Sequence, residues 1–409
     1  MLDYKTAGES HGRGLLIIVD GLPAGLEVDP GVINDMLARR QGGYGRGGRM
    51  KIETDRVQIY SGVRGGETMG SPVGMVIENK DWENWQQVMS ALPEEVTEEE
   101  KVMIKKDDRL KEINSRVTRP RPGHADLAGV LKYNLQDIRN ILERASARET
   151  AARTAVGGLL KCFLHVFELD VISHVLRIGS AAAPEPAAGE ELSFTELKES
   201  ISESPVNCFD REAGQEMMAE IDNCAEEGDT LGGVIEIVTT PLPVGLGTHT
   251  VGKDRLDARL ATALMSIPAV KGVEIGPAFD CAGRRGSKVH DEIFYCEEKG
   301  YYRETNRAGG LEGGMSNGQP LRVRIAMKPL ATLYKPLQSV DIATGEEISA
   351  AVERSDVTAV PACGVVGEAM VVLVLARALL DKFGGDHCEE TLRNYRQYLQ
   401  NLPGRGEQV

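Results

Sequence analysis

Cysteine and histidine, the residues that most often build cross-links and metal sites, are scarce and scattered in this sequence. The 409 residues include seven cysteines, an odd number that forms no CxxC or CxxH pair, and seven histidines. Such a set fits neither a disulfide framework nor a zinc site. The thiols are therefore predicted to be reduced, as in a cytoplasmic protein, and no metal is expected.

Long apolar segments and repeats are also lacking. The longest apolar run, residues 369–380, is interrupted by Arg377 and is too short to cross a bilayer, so it is predicted to be a buried core helix. The chain begins Met-Leu-Asp-Tyr-Lys rather than with a basic patch and an apolar core, which disfavours a signal peptide. No membrane partner is expected.

Basic charge is deficient overall, since the formal net charge is −15, but the deficit is local. Residues 185–229 contain 14 acidic and two basic side chains, and the rest of the chain is close to neutral. We interpret residues 181–229 as a peripheral acidic insertion or linker with one or two surface helices, and residues 90–115 as a second acidic surface segment. The net charge therefore does not exclude a basic site elsewhere.

Hydrophobic periodicity predicts a mixed α+β fold. Strands are predicted at residues 15–19, 57–63, 72–78, 233–239 and 321–327. Helices are predicted after Asp29-Pro30, which supplies an N-cap with proline at the first helical position, and at residues 126–142, 150–167 and 361–383. Ser146 and Glu149 form a capping-box pattern. Strands and helices do not alternate regularly, so a doubly wound parallel sheet is not favoured.

Three familiar motifs are present in letters but lack the structural context that they need. Residues 43–48 match GxGxxG, but they follow a predicted helix, whereas a dinucleotide-binding loop follows a strand and opens a helix. Residues 314–318 match GxSxG without a strand before Ser316 or a helix after it, so Ser316 is not expected to be a nucleophile. The Gly-Arg stretch 42–49 resembles an RNA-binding RGG tract, but it is a single short copy.

Residues 39–51 concentrate basic side chains between glycines. Among them are Arg39, Arg40, Arg46, Arg49 and Lys51, with no acidic residue. Guanidinium groups bind phosphate and carboxylate in a forked geometry, and the glycines let backbone N–H groups approach an anion. A solvated basic loop is the alternative, but the interleaved glycines favour an anion site.

Two further segments place basic groups on loops near helix starts. Residues 116–124 present Arg121 and His124 on a loop stiffened by prolines. Arg148 lies in the first turn of a predicted helix, where a cation opposes the helix dipole unless an anion binds there. His11 and His124 both lie beside glycines in loops, a setting that suits proton transfer, although each alone also fits a structural role. Asp356 either belongs to an ion pair at the surface or acts as a base beside a cofactor.

Seven segments that occur in order resemble the chorismate synthase family. They are GESHG at 8–12, RRQGGYGRGGRM at 39–50, RPRPGHAD at 119–126, RASARET at 144–150, GGMSNGQP at 313–320, MKP at 327–329 and ERSD at 353–356. The resemblance extends from residue 6 to about residue 385, and the acidic segments are the least similar parts. It implies a β-α-β sandwich of mostly antiparallel sheets around a helical core layer, with a single domain at 1–390 and a C-terminal tail at 391–409.

The resemblance implies a lyase of the shikimate pathway, which leads to the aromatic amino acids. Such enzymes eliminate phosphate from 5-enolpyruvylshikimate 3-phosphate to give chorismate, and they require reduced FMN without net redox change. The family implies a cytoplasmic homotetramer. No NADP-binding Rossmann unit is visible in the sequence, which favours a separate NAD(P)H-dependent reductase for the flavin.

The resemblance also implies roles for individual residues. The catalytic group comprises Ser10, His11, His124, Ser146 and Asp356. The histidines would supply protons to the departing phosphate and to the flavin, and Asp356 would assist at flavin N5. The substrate-binding residues are Arg40, Arg46, Arg49, Arg121, Arg148 and Arg354. Contacts to FMN are implied at Ser146, Ala147, Arg148, Pro268, Ala269, Gly313, Lys328, Pro329, Leu330, Ala331, Thr332 and Arg354.

Two positions depart from the family pattern. Pro268 stands where many relatives have asparagine, which leaves a backbone contact to the flavin there, and Cys363 replaces a small residue and is expected to pack rather than react. Two other functions fit parts of the sequence. One is a flavin-independent lyase or transferase that handles phosphate. The other is a nucleic-acid-binding module that uses the Arg-Gly loop, against which the net acidity and the single copy argue.

Overall fold

Two antiparallel sheets enclose a layer of helices in the computed structural model, which describes residues 1–47, 54–92, 115–184, 192–352 and 356–403. The strands are β1 (Asp3–Ala7), β2 (Gly14–Asp20), β3 (Gln58–Ser61), β4 (Val63–Arg64), β5 (Glu67–Thr68), β6 (Val73–Glu78), β7 (Val171–Ile178), β8 (Ala181–Ala182), β9 (Gly233–Pro241), β10 (Val270–Ile275), β11 (Phe294–Cys296), β12 (Gly300–Tyr302), β13 (Leu311–Glu312), β14 (Met315–Ser316), β15 (Pro320–Met327), β16 (Gln338–Val340) and β17 (Glu347–Ser349). The helices are α1 (Pro30–Gln41), α2 (Trp82–Met89), α3 (Asp126–Tyr133), α4 (Arg139–Ala145), α5 (Thr150–His165), α6 (Phe194–Ser202), α7 (Arg211–Glu226), α8 (Leu256–Met265), α9 (Ala278–Ala282), α10 (Val360–Phe383) and α11 (Cys388–Gln400). Within the described residues, 3-10 turns lie at Ala147–Glu149, Gly252–Asp254 and Gly286–Lys288.

Each large sheet turns one face to the interior. The first has the strand order β1-β2-β6-β3 and the second the order β10-β15-β9-β7-β8, with antiparallel neighbours throughout. In β2, Leu15, Ile17 and Val19 are buried, whereas Leu16 and Ile18 are more than half exposed, as the alternation of a strand requires. The α+β class and the β-α-β sandwich are therefore confirmed.

Helices α1, α5 and α10 fill the space between the sheets. Helix α5 contacts β1 and β2 of the first sheet, and α10 contacts β7, β9 and β15 of the second. The helices approach closely because α5 carries two glycines. A Cβ atom at Gly157 would lie 2.5 Å from the Cα of Ala369 in α10, and one at Gly158 would lie 2.6 Å from the Cα of Ile33 in α1.

Helix α10 is apolar all round because it is buried all round. By length and composition it could cross a membrane, but 89% of its most apolar window is buried inside the protein, so the predicted core helix is confirmed. Its fully buried Glu368 accepts hydrogen bonds from both terminal nitrogens of Arg39 in α1 and from the backbone and hydroxyl of Ser173 in β7. This ion pair fixes the end of α1, where Arg40 follows Arg39.

A second buried carboxylate lies on the outward side of the second sheet. Glu236 of β9 contacts Nε2 of His174 at 3.1 Å, Nε of Arg324 at 2.8 Å and Nη2 of Arg322 at 2.5 Å. Burial alone would raise the pKa of Glu236, but the hydrogen bond to His174 and the charge of Arg322 outweigh it and hold that pKa well below its usual range. Glu236 is therefore ionised, and its contacts join β9 to β7 and β15.

The single helix predicted at residues 126–142 is wrong, because the chain forms two helices there. Helix α3 ends at Asn134, which takes the left-handed conformation with φ of 53°. Asp137 then accepts hydrogen bonds from the backbone N–H groups of Val117 and Arg139, and α4 begins at Arg139. The apolar spacing continues across this break, and the sequence pattern therefore did not reveal it.

Three other expectations need correction in detail. Ser146 caps the 3-10 turn by accepting from the backbone of Arg148, but the capping box is wrong, since the Glu149 side chain pairs with Arg153. Residues 192–229 form α6 and α7, in agreement with the one or two helices expected there, but the helices are not purely peripheral, because they bury Leu197, Ile201 and Met217 in hydrophobic clusters. The boundary expected at residue 390 falls within α11, which packs against the core through aromatic side chains.

Candidate active site

A cavity of about 520 Å³ lies where α1, the 3-10 turn before α5, the N-terminal end of α10 and several loops meet. Its size is typical of a small-molecule pocket. The residues from the sequence prediction that line it are Ser10, His11, Arg40, Arg46, Arg121, His124, Ser146, Ala147, Arg148, Pro268, Ala269, Lys328, Pro329, Leu330, Ala331, Thr332 and Asp356. Segments more than 300 residues apart in the chain therefore share one hollow.

Arg148 and Arg40 enter the cavity from neighbouring helix ends. Nη1 of Arg148 lies 2.7 Å from both carboxylate oxygens of Asp55, and its Nε donates to the side chain of Asn79 at 2.8 Å. Arg40 donates to the hydroxyl of Thr150 at 2.9 Å and has Nη1 3.7 Å from Asp55. All three charged groups are more than 90% buried. The anion that the position of Arg148 requires is thus supplied in part by Asp55.

Arg121 and His124 are held together by one carboxylate. Asp126 of α3 accepts from Nε of Arg121 at 2.8 Å and lies 2.5 Å from Nδ1 of His124. Burial would raise the pKa of Asp126, but the hydrogen bonds from His124 and Arg121 outweigh it and hold that pKa well below its usual range. The carboxylate is therefore ionised and can stabilise a proton on Nδ1 of His124.

His11 has the same kind of partner on a different helix. Its Nδ1 lies 2.9 Å from Oε1 of Glu143, and its ring stacks on Trp85 with centroids 3.9 Å apart. Because Nδ1 of His11 and of His124 each faces a carboxylate, Nε2 of each ring is the nitrogen left to exchange a proton with a bound molecule. Two imidazoles, each with Nδ1 beside a carboxylate, thus line one cavity.

Arg46 lies on the Gly-rich loop, which is held between two parts of the chain. Gly45 has a φ of +83°, and a Cβ atom there would lie 3.0 Å from methyl carbons of Ile221 and Thr358. Arg46 Nη1 lies 2.7 Å from Asp356, which also accepts the backbone N–H of Gly47 at 2.7 Å. Burial lowers the pKa of Arg46, and the charge of Asp356 partly offsets that effect. Arg46 of the loop and Asp356 before α10 therefore line the cavity as an ion pair.

Two serines connect the His11 loop to the start of α5. The Ser146 hydroxyl donates to that of Ser10 at 3.1 Å and accepts from the backbone N–H of Arg148 at 3.2 Å. Ser10 is buried and lines the cavity. A chain of hydrogen bonds therefore runs from the backbone N–H of Arg148 through the Ser146 hydroxyl to the Ser10 hydroxyl, at the edge of the cavity.

One wall of the cavity is apolar. It is formed by Ile267, Pro268, Ala269, Met327, Ala359, Ala362, Cys363 and Val366. Ala269 has a φ of 70°, and its carbonyl accepts the backbone N–H of Lys328 at 2.9 Å, so the two segments of this wall are joined. Cys363 is buried, and burial raises the pKa of its thiol to about 12, which suits packing rather than reaction.

Lys328 adds a cation to this wall. Its Nζ donates to the carbonyl of Gly123 at 2.6 Å, next to His124. Burial lowers the pKa of Lys328, and the nearby charge of Lys271 lowers it further. The wall therefore combines an apolar surface with one partly desolvated ammonium group.

Of the predicted residues that the structure describes, Gly313 is not among those that line the cavity. Gly313 lies in the tight turn between β13 and β14. Arg49 and Arg354 lie outside the residues that the structure describes. Ser316 is buried, accepts from the backbone of Leu246 and donates to the carbonyl of Pro243, a structural role that agrees with its rejection as a nucleophile.

Sequence reasoning missed the groups that hold the site residues. These are Asp55, Asn79, Trp85 and Glu143, and Asp126 was noted only as part of a motif. Asp55 and Glu143 are buried acidic residues, a type that is rarely buried without a partner. The sequence carries no local signal of that burial, because their partners lie 93 and 132 residues away.

Comparison with known proteins gives one consistent result. The family model described as chorismate synthase matches residues 2–380. Chorismate synthase of Desulforudis audaxviator is 55% identical over 402 residues, covering 98% of both chains, and that of Symbiobacterium thermophilum is 54% identical over 402 residues, covering 98% of this chain and all of the relative. A solved structure described as a crystal structure of chorismate synthase has a TM-score of 0.76 and 39% identity, and it covers 98% of this chain and 97% of its own.

Proposed function

We propose how the cavity works from one premise: the chain belongs to the chorismate synthase family. It is a carbon–oxygen lyase acting on phosphates, and its reaction is the anti-1,4 elimination of phosphate from 5-enolpyruvylshikimate 3-phosphate to give chorismate in the shikimate pathway. The observation that carries our assignment is the convergence of cations from distant segments on one cavity.

The arginines are proposed to bind the anionic groups of the substrate. A phosphate and two carboxylates are costly to remove from water unless cations replace their hydration. Arg40, Arg46, Arg121 and Arg148 line the cavity and are already held by carboxylates or backbone oxygens. Little side-chain freedom is then lost on binding, which favours both affinity and alignment. Arg49 and Arg354 stay proposed as additional ligands.

The residues present also fit FMN. The apolar wall suits a flavin ring, and Lys328 and Arg148 supply cations within the same cavity. We assign FMN binding to Ser146, Ala147, Arg148, Pro268, Ala269, Lys328, Pro329, Leu330, Ala331 and Thr332, with Gly313 and Arg354 as further proposed contacts. When bound, reduced FMN supplies electron density that weakens the allylic C–O bond, without net redox change.

Proton transfer is assigned to the two histidines and Asp356. As the C–O bond breaks, its electron pair leaves with the phosphate, and Nε2 of His11 would donate a proton to that oxygen. Asp356 would accept the proton lost from the substrate ring when the C–H bond breaks. His124 would hold a proton at Nε2 against the bound anions, with Asp126 stabilising the imidazolium. The hydroxyls of Ser10 and Ser146 would orient the substrate.

We further propose that the enzyme is a cytoplasmic homotetramer that obtains reduced flavin from a separate NAD(P)H-dependent reductase. In the part of the chain that the structure describes, the two large sheets are antiparallel, which does not resemble the parallel sheet of a nicotinamide-binding unit. Light scattering would test the tetramer. Oxidation of NADPH by the purified protein with added FMN would contradict the need for a reductase.

An anaerobic assay that follows phosphate release with reduced FMN would test the assignment of the histidines. His11→Asn and His124→Asn are each expected to lower kcat by about 10²–10⁴-fold, since that is the range of general acid catalysis. His165→Asn is a matched control, because His165 is exposed, pairs with Asp170 and is not among the residues that line the cavity. Wild-type kcat in both site variants would refute the assignment.

A further inference from the structure

Glu143 of α4 holds the His11 loop by three hydrogen bonds. Oε1 lies 2.9 Å from Nδ1 of His11, and Oε2 accepts the backbone N–H of His11 at 2.8 Å. The carbonyl of Glu143 accepts the backbone N–H of Ser10 at 3.0 Å. Glu143 is only 3% exposed, and an ionised carboxylate is costly to bury unless donors satisfy its oxygens. Here both side-chain oxygens are directed at one residue.

We propose that Glu143 is a positioning residue for His11. It fixes the imidazole with Nδ1 protonated, so that proton exchange with the substrate falls to Nε2. The inference rests on the proposed role of His11 as the proton donor. It adds a residue to the reaction that no sequence motif indicated, since Glu143 lies 132 positions from His11.

The ring plane of His11 is fixed independently of Glu143. Trp85 of α2 stacks on the imidazole with an interplanar angle of 30°, and the guanidinium of Arg139 lies 5.3 Å from the centroid of the Trp85 ring. Stacking restrains tilt of the imidazole, while Glu143 restrains its rotation within the plane. Together they define one orientation of Nε2.

The number of acceptors explains why a carboxylate is needed. The backbone N–H of His11 and a protonated Nδ1 are both donors, and Glu143 meets them with two acceptor oxygens. A glutamine has the same shape but one acceptor and one NH₂ group. It can therefore satisfy the backbone and Nδ1 together only when Nδ1 is deprotonated. Glu143→Gln should selectively destabilise the imidazolium form of His11.

Other charged groups also act on His11 and set the background for this effect. Arg139 of α4 lies 3.9 Å from Glu143, and Glu9 and Arg13 flank His11 on its own loop. Among the described residues, the remaining charged or titratable groups that line the same cavity are Arg40, Arg46, Arg121, His124, Arg148, Lys328, Tyr334, Asp356 and Cys363. Most of these are cations, which disfavour a protonated imidazole. The Glu143 carboxylate is thus the group in direct contact with His11 that counters them.

The test compares kcat against pH for the wild type, Glu143→Gln and Glu143→Asp, with saturating reduced FMN and substrate. In Glu143→Gln, kcat should fall about 10²-fold with KM within about threefold, and the alkaline limb should move to lower pH. Glu143→Asp keeps both acceptors, so its alkaline limb should stay in place although kcat falls. Glu149→Gln is the control: it removes a nearby buried carboxylate that contacts Arg153 rather than an imidazole, and its limb should not move.

The outcomes separate this inference from the proposed function. If His11→Asn keeps wild-type kcat, the role of His11 fails. If His11→Asn is impaired while Glu143→Gln keeps the wild-type kcat and pH profile, the role of Glu143 fails. In a His11→Asn background, Glu143→Gln should lower kcat by less than about threefold, and a full 10²-fold loss there would overturn the inference. Should Glu143→Gln not fold, a wild-type kcat in Glu143→Asp would overturn it instead.

Discussion

Replacing Asp55 with asparagine tests whether buried carboxylates hold the cations of the cavity in place. Asp55 is 5% exposed, accepts Nη1 of Arg148 at 2.7 Å on both oxygens and lies 3.7 Å from Nη1 of Arg40. Asparagine keeps the shape and one acceptor but removes the charge. Two buried guanidinium groups then share less counter-charge.

The expected loss of stability follows from the burial. Removing one partner of a buried ion pair costs about 3–5 kcal/mol, and the retained hydrogen bond places this change near the lower end. For a chain of 409 residues the entropy of unfolding is about 0.9 kcal/mol/K. A loss of about 3 kcal/mol therefore lowers Tm by about 3–4 °C. Differential scanning calorimetry resolves such a shift.

Two controls make this prediction specific to the cavity. Asp257→Asn removes the same charge from a partly exposed pair with Arg255, and it should cost less than about 1 kcal/mol. Inorganic phosphate should raise the Tm of Asp55→Asn more than that of the wild type, because an anion in the cavity replaces the missing charge. A Tm within 1 °C of the wild type, or equal effects of phosphate on both proteins, would refute the reasoning.

Three further predictions concern other buried ionisable groups. The pKa of Glu236 is depressed in the folded protein, so its contribution to the free energy of unfolding is complete above pH 4.5, the pKa of an ordinary glutamate, and is lost as the pH falls. Glu236→Gln should therefore flatten the acid dependence of stability between about pH 5 and pH 2, as measured by urea titrations. The thiol of Cys363 stays protonated at pH 8, so iodoacetamide should alkylate the more exposed Cys281 and Cys296 at least about tenfold faster, measured by peptide mass spectrometry. The pKa of Lys328 is lowered, so FMN affinity should weaken with rising pH already below pH 10.5, the pKa of an ordinary lysine. In Lys328→Met this pH dependence should vanish, and FMN affinity at pH 7, measured by flavin fluorescence, should fall about tenfold.

Local sequence patterns predicted the parts of the fold whose cause is local. The alternation in β2 marked a half-buried strand, and the structure has that strand at Gly14–Asp20. The Asp29-Pro30 pair marked the start of α1, where Asp29 caps the helix. The apolar composition of α10 marked a core helix because burial on all sides leaves no polar face. In each case the residues that decide the structure are neighbours in the chain.

The break between α3 and α4 shows where local patterns stop. Apolar spacing runs through Asn134, but Leu131 and Leu127 are largely exposed, and the chain turns so that Ile138 reaches the interior. The turn is stabilised by contacts of Asp137 with Val117, some 20 residues earlier. Periodicity reports that a helix is possible, whereas these distant contacts decide where it ends.

The site shows the same division between local and distant causes. The arginines between glycines at residues 39–51 predicted an anion site although their contacts in the fold were unknown, because guanidinium groups pair with phosphate and carboxylate. Asp55 and Glu143 could not be assigned, because a buried acid looks the same in sequence as an exposed one. Only the fold shows that Asp55 holds Arg148 and that Glu143 holds His11. These acids act through the residues that the motifs contain.

The balance of charge at the cavity connects the histidines to substrate binding. Within the described residues, five cations line it, namely Arg40, Arg46, Arg121, Arg148 and Lys328. In the same part of the chain, the carboxylates of Asp55, Asp126, Glu143 and Asp356 contact these cations or the histidines. Counted over the described residues alone, these groups leave an excess of one positive charge, which is small beside a substrate with a phosphate and two carboxylates. Protonation of both imidazoles would raise that excess to three, and a carboxylate lies beside Nδ1 of each ring. The acids that hold His11 and His124 therefore let the site gain positive charge when the anion enters, at the nitrogens from which a proton must later be given.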